Sequence, residues 1–222
     1  AFFSLEMSAD ELAIRSVSGE AGIDGHRLQR GRIWESEWSA LSRAFGTLAE
    51  RSLYIDESPF VTVFDIKTRA RRLKSQARLD LVVVDYTQLM VGHEKHQNRT
   101  LEIAAITRGL KALAKDLKVP VIALSQLNRD LEKRDNKRPM LADLRDSGAL
   151  EQDADLVLLL YRDDVYHPDD AKEPGIAEII VAKHRQGPIG TIKLSWNASY
   201  TQFVNHRDEP AAVDQRLPMG DR

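Results

Sequence analysis

The chain has 222 residues, 42% hydrophobic and 30% charged, enough apolar content to bury one substantial core. It has no cysteine, which excludes a disulfide framework and a thiolate metal site, and its longest apolar runs (81–84 and 156–161) are far too short to span a bilayer. A net charge of −2 and a pI ≈ 6.4 exclude a broadly basic nucleic-acid binder, so any such contact must rest on local charge and weaken steeply with salt. No charged-then-apolar leader opens the chain, and the composition predicts a soluble, cytosolic protein.

In chain order, residues 2–7 read as a buried strand with Glu6 near its carboxyl end. Ser8 and Glu11 have the spacing of a capping box, which predicts a helix running to about Gly19. A short helix or turn is expected over 24–31, then a helix over 35–51 with Trp38, Leu41, Phe45 and Leu48 on its inward face. Residues 53–56 suit a short strand, and Thr62 can cap a helix whose inward stripe is Ile66, Ala70, Leu73 and Ala77.

The most informative stretch follows. Leu81-Val82-Val83-Val84-Asp85-Tyr86 is a solid apolar run that stops on a carboxylate. Without alternation it suits a strand covered on both faces in a parallel sheet, and ligands of such sheets gather at the carboxyl ends of the strands. Mg²⁺ carried with nucleotide phosphates takes one or two protein carboxylates, which makes Asp85 a candidate.

Residues 92–99 look like a loop, and His93 and His96 lack the neighbours of a metal site. Ile103, Ile106, Leu110, Leu113 and Leu117 then repeat at three and four and predict a long helix. Residues 121–124 and 155–161 read as two more buried strands, the first ending on Ser125-Gln126. The charged stretch 128–139 is expected to be a flexible loop, and 162–174 an acidic one. Residues 177–184 and 189–196 flank Gln186-Gly187-Pro188 as a hairpin, with one further strand over 201–204. Residues 206–222 have the composition of a disordered tail. The fold class expected is α/β, with a mostly parallel sheet and antiparallel strands at the C-terminal end.

Glu6, Asp85 and Gln126 would share one crevice in such a sheet, with a water-polarising carboxylate, a metal-holding carboxylate and a sensor of the γ-phosphate. Taken singly, Glu6 also suits a surface carboxylate beside a helix N-terminus, and Gln126 a strand-end hydrogen bonder. Lys183 and Arg185 suit edge charges that discourage aggregation. The cations Arg69, Arg71, Arg72 and Lys74 read as a solvated helix face.

Six segments in order carry a more specific signal. Phe3-Ser4-Leu5-Glu6-Met7-Ser8, Asp85-Tyr86-Thr87-Gln88-Leu89-Met90, Ala123-Leu124-Ser125-Gln126-Leu127-Asn128-Arg129, Asp143-Leu144-Arg145-Asp146-Ser147-Gly148, Glu151-Gln152-Asp153-Ala154-Asp155 and Lys183-His184-Arg185-Gln186-Gly187-Pro188-Ile189-Gly190 resemble the motifs of DnaB-type replicative DNA helicases. The resemblance runs to about Val204. It implies a RecA-like three-layer sandwich over 1–205 that binds ATP with Mg²⁺, assembles as a homo-hexamer, moves on single-stranded DNA and meets a primase and a helicase loader, with no membrane.

By the same resemblance Glu6 matches the catalytic glutamate, Asp85 the Walker B aspartate and Gln126 the phosphate-coupling glutamine. Lys183 and Arg185 match the finger inserted into a neighbour's site, and Arg145, Asp146 and Gly148 match the loop that contacts DNA. Arg15, one helical face along from Glu6, is a further candidate for the nucleotide.

Asp146 and Thr87 depart from the family's usual Glu and Leu. No G-x-x-x-x-G-K-[ST] segment occurs. The chain is therefore expected to start just after that loop, to lack the first strand, and to turn over ATP poorly alone. Two other readings stay open: a recombinase or clock-type ATPase on the same fold, and a non-enzymatic piece that binds DNA or caps a ring.

Overall fold

The computed structural model describes residues 1–92 and 98–206, with the backbone only for 145–148. His93, His96 and the tail from 207 lie outside the described residues.

The valine run forms β3 (Val82–Asp85), flanked by β1 (Phe2–Ser4) and β4 (Val121–Ala123), with β2 (Ile55–Asp56) beyond β1. All pairings in this sheet, ordered β2-β1-β3-β4, are parallel. Phe3, Val82 and Val84 pack on α4 (Val63–Gln76) and α5 (Arg99–Leu117), and the five-residue apolar stripe of α5 is buried as its period predicts. Thr62 caps α4 in a capping box with Asp65. Where α4 meets α5, a Cβ on Gly109 would lie 2.9 Å from Val63, so only glycine permits this approach.

A second, antiparallel sheet is built from β5 (Leu156–Tyr161), β6 (Ile176–His184), β7 (Gly190–Asn197) and β8 (Gln202–Asn205), in that order. The two halves are separately hydrogen-bonded, and β4 and β5 share no ladder.

Several local expectations change. The helix α1 (Ala9–Ala21) has the Ser8–Glu11 capping box but passes through Gly19 and stops at Gly22, which takes the left-handed φ of 66° that releases the chain. The segment expected as one helix over 35–51 is a 3-10 turn (Glu35–Glu37) followed by α3 (Trp38–Ala49). Its inward face is narrow: Leu41 and Ala44 join Val17 of α1 and Ile23 beyond it, Leu48 packs in part, and Trp38 and Phe45 stay exposed.

Strands β4 and β5 are covered on one face only. Val157 and Leu159 pack on Leu144, whereas Leu156, Leu158, Leu160, Ile122 and Leu124 are exposed. The charged stretch after β4 is organised rather than loose: a 3-10 turn (Arg129–Lys133) is followed by Arg134, paired with Asp143, and Arg138, paired through both nitrogens with Glu178. Among the α4 cations, Arg69 pairs with Asp56, Arg71 pairs with Asp116, and Lys74 donates to the Leu117 carbonyl.

Phe60 holds a left-handed φ of 59° with its side chain 80% exposed. That conformation costs a side-chain-bearing residue roughly 1–2 kcal/mol, and the exposed ring returns little. Phe60→Gly is therefore expected to raise stability by about 0.5–1 kcal/mol, a gain of a few degrees in thermal midpoint by calorimetry.

Candidate active site

The parallel register places the candidate residues along one rim. Ser4 lies opposite Asp85, and the Leu5 N–H donates to the Asp85 carbonyl at 2.8 Å, so Glu6 leaves β1 beside the end of β3. On the other side of β3, the Leu124 N–H donates to the Val84 carbonyl at 2.9 Å and the Thr87 N–H to the Leu124 carbonyl at 3.0 Å. This brings Ser125 and Gln126 to the same rim.

Glu6 and Gln126 are exposed, and Asp85 is half-buried. Among the described residues, the side chains of Glu6 and Asp85 make no hydrogen bond or ion pair. Burial pushes the Asp85 carboxyl above the usual aspartate range, and the nearby Arg15 guanidinium pulls it back in part. The Arg15 charge on α1 is thus near enough to Asp85 to be felt there.

No group of three or more potential metal ligands occurs among the described residues. The rim instead suits a cation that arrives on nucleotide phosphates and asks the protein for one or two carboxylates. Asp85 fits that role: it is partly desolvated, has no protein donor on its side chain among the described residues, and lies beside Glu6.

Two residues at this rim were not legible as functional. The Gln88 amide donates to Ser125 Oγ at 2.8 Å and to the Gln126 carbonyl at 3.1 Å, and its oxygen accepts the Gln126 N–H at 3.3 Å. It clamps the end of β4 to the turn after β3. The fully buried Thr87 hydroxyl donates to the Leu124 carbonyl at 3.1 Å, a bond that leucine could not supply. The only sequence signal for either was membership in the Asp85-Tyr86-Thr87-Gln88 segment.

Lys183 and Arg185 fall elsewhere. Arg185 lies in the turn after β6, not in the strand, and both residues close on α6 (Gly148–Asp153) of their own chain. Lys183 Nζ donates to the Glu151 and Gln152 carbonyls. Arg185 donates to the Gln152 carbonyl at 2.6 Å and to Asp155 at 3.0 Å, and Lys111 of α5 shares that carboxylate. The last carbonyls of a helix lack intrahelical partners, so these cations satisfy them and complement the helix dipole.

An open groove of about 560 Å³ runs past Arg185, His184, Lys111 and Leu156. A second, of about 420 Å³, is lined by Arg138, Tyr161, Asp163 and His167, where burial and Asp163 push the Tyr161 phenol up to about 12. Neither contains Glu6, Asp85 or Gln126.

Arg145 and Asp146 lie in a 3-10 segment (Leu141–Ser147), and Gly148 opens α6. Their side chains are outside the described residues.

The sequence model of the DnaB-like helicase C terminal domain matches residues 1–205. The chain belongs to this family. It is 47% identical over 206 residues to the replicative DNA helicase DnaB of Geobacillus stearothermophilus, covering 92% of this chain and 45% of that protein. It is 48% identical over 203 residues to DnaB of Mycobacterium intracellulare, covering 91% and 35%.

Among solved structures, a DnaB-like replicative helicase described with its primase interactions superposes with a TM-score of 0.89 at 38% identity, covering 93% of this chain and 50% of that one. A second solved structure, of an ATPase domain, superposes equally well, with 93% and 74% covered. The fold is thus the RecA-like ATPase fold of DnaB-like helicases. The chain spans about half the length, or less, of the curated relatives it matches, 45% for the first of them. Among the described residues, no helix is long and apolar enough to cross a membrane.

Proposed function

We propose that this chain is the motor core of a ring-shaped replicative helicase that hydrolyses ATP to move along single-stranded DNA. The observation that carries this reading is the rim where Asp85 ends β3 between Glu6, just past β1, and Gln126, just past β4, with the Arg15 charge near Asp85. Magnesium bound with the nucleotide would neutralise charge building on the β- and γ-phosphate oxygens.

Asp85 would hold that cation through its waters. Glu6, exposed and free of a countercharge among the described residues, would orient and polarise the attacking water. Gln126, pinned by Gln88 through its main chain, would present its side-chain amide to the γ-phosphate and follow its loss.

Arg185 and Lys183 would leave α6 and enter the neighbouring subunit's site, where the guanidinium offsets charge in the transition state. Such a head-to-tail contact repeats around a closed ring, which supports the hexamer expected of the family. The segment holding Arg145, Asp146 and Gly148 would meet the DNA backbone, with glycine allowing close approach of main-chain N–H groups to phosphate. The primase and loader remain expected partners by family resemblance.

Unwinding of a forked duplex by the full-length protein, with ATP and magnesium, tests the reading. Strand separation that requires ATP and a free single-stranded arm is expected. ATP turnover accompanied only by strand exchange, with no unwinding, would point to a recombinase instead.

A further inference from the structure

Asp143 is the only charged residue in the buried set among the described residues, with 9% of its surface exposed. A buried carboxylate persists when it is paired and hydrogen-bonded, and the partners of this one say what it holds together. Its Oδ2 accepts the Met140 N–H at 2.8 Å and an Arg134 guanidinium N–H at 2.8 Å. Its own N–H donates to the Met140 carbonyl at 2.9 Å, and its carbonyl accepts the Asn128 N–H at 2.9 Å. The guanidinium of Arg134 also reaches the Arg138 carbonyl at 3.2 Å, and Arg138 is fixed to Glu178 on β6.

These bonds join the ends of one segment. Asn128 is two residues beyond Gln126, and Asp143 is two residues before Arg145. Gln126 is itself clamped by Gln88, three residues beyond Asp85. A short chain of main-chain and ionic contacts therefore runs from the phosphate-facing rim to the start of the segment expected to meet DNA. Leu144, next to Asp143, is buried against Val157 and Leu159, so that start is also anchored in the second core.

Arg134 Nε is buried without a hydrogen-bond partner. The guanidinium is therefore not saturated here, and its bonds are those to Asp143 and the Arg138 carbonyl.

We propose that Asp143, through Arg134, is a positioning residue that couples the state of the Gln126 strand end to the DNA-facing segment. The proposal rests on the motor reading above. It assigns Asp143 no contact with nucleotide or DNA.

The test uses the full-length protein and its Asp143→Asn and Arg134→Lys variants. ATP turnover is measured with and without single-stranded DNA, alongside ring assembly by native mass measurement and the thermal midpoint. Asp143→Asn keeps an acceptor for Met140 but removes the charge facing Arg134; Arg134→Lys keeps the charge and removes the fork.

The expected result is DNA stimulation of turnover lowered roughly tenfold or more in both variants, the size of a typical coupling between sites. Turnover without DNA should stay within about twofold and rings should still form. Arg134→Lys should suffer less than Asp143→Asn if charge is the main requirement.

Unchanged stimulation in both variants would overturn the proposal. So would a proportional loss of basal turnover, assembly and thermal midpoint, which marks a purely structural ion pair. If Asp143→Asn does not fold, Arg134→Lys decides by the same criteria. A lack of DNA stimulation in the unsubstituted protein would instead remove the motor reading, and this proposal with it.

Discussion

Replacing Glu6 by glutamine in the full-length protein is expected to lower ATP turnover by roughly 10²–10⁴-fold, the usual contribution of a positioned acid–base group. Nucleotide affinity and thermal midpoint should hardly change. Glu6 is exposed and engages no hydrogen bond or ion pair among the described residues, so the substitution breaks no stabilising contact there. Steady-state turnover, nucleotide binding and a melting curve on the same preparation check this. An equal loss of binding and turnover would place Glu6 in ground-state contacts rather than on the attacking water.

Arg185→Ala should be at least as damaging, because fingers of this type contribute roughly 10³–10⁵ in rate where they are best measured. In this chain Arg185 rests on its own Gln152 carbonyl and Asp155. Exposed ion pairs of this sort contribute about 1 kcal/mol or less. A factor of 10³–10⁵ corresponds to about 4–7 kcal/mol. Releasing Arg185 from Asp155 would therefore cost little beside the transition-state stabilisation expected of a finger. Loss of turnover with intact ring assembly is the outcome to look for. Loss of assembly would mean that the hairpin serves the subunit contact itself.

Much of this architecture was legible because its signals are periodic or terminal. The stripe from Ile103 to Leu117 follows the helical period and is buried throughout. The run ending at Asp85 is a covered strand whose carboxylate emerges where a parallel sheet collects its ligands.

The misreadings have local physical causes. Trp38 and Phe45 have the helical spacing of a core face, but the strip along which α3 meets α1 takes Leu41, Ala44 and part of Leu48 and leaves both rings outside. Leu156, Leu158 and Leu160 lie in an unbroken apolar run, and sequence cannot show that only the alternate residues Val157 and Leu159 find a partner layer. Residues 128–139 read as loose because charged residues usually face water, yet Arg134 and Arg138 spend their charge on Asp143 and Glu178. Gln88 acts on residues 37 and 38 positions away. Such a pairing has no local signature.

The most direct test of the account is complementation in mixed rings. Glu6→Gln subunits retain Arg185, and Arg185→Ala subunits retain Glu6. If each site draws its finger from the neighbour, an equal mixture should restore both residues at about one interface in four around a head-to-tail ring. DNA-stimulated ATP turnover should then rise well above that of either variant alone, once native mass measurement shows that subunits have mixed. Mixed rings that stay as inactive as their parents would contradict the claim that Glu6 and Arg185 meet across a subunit boundary.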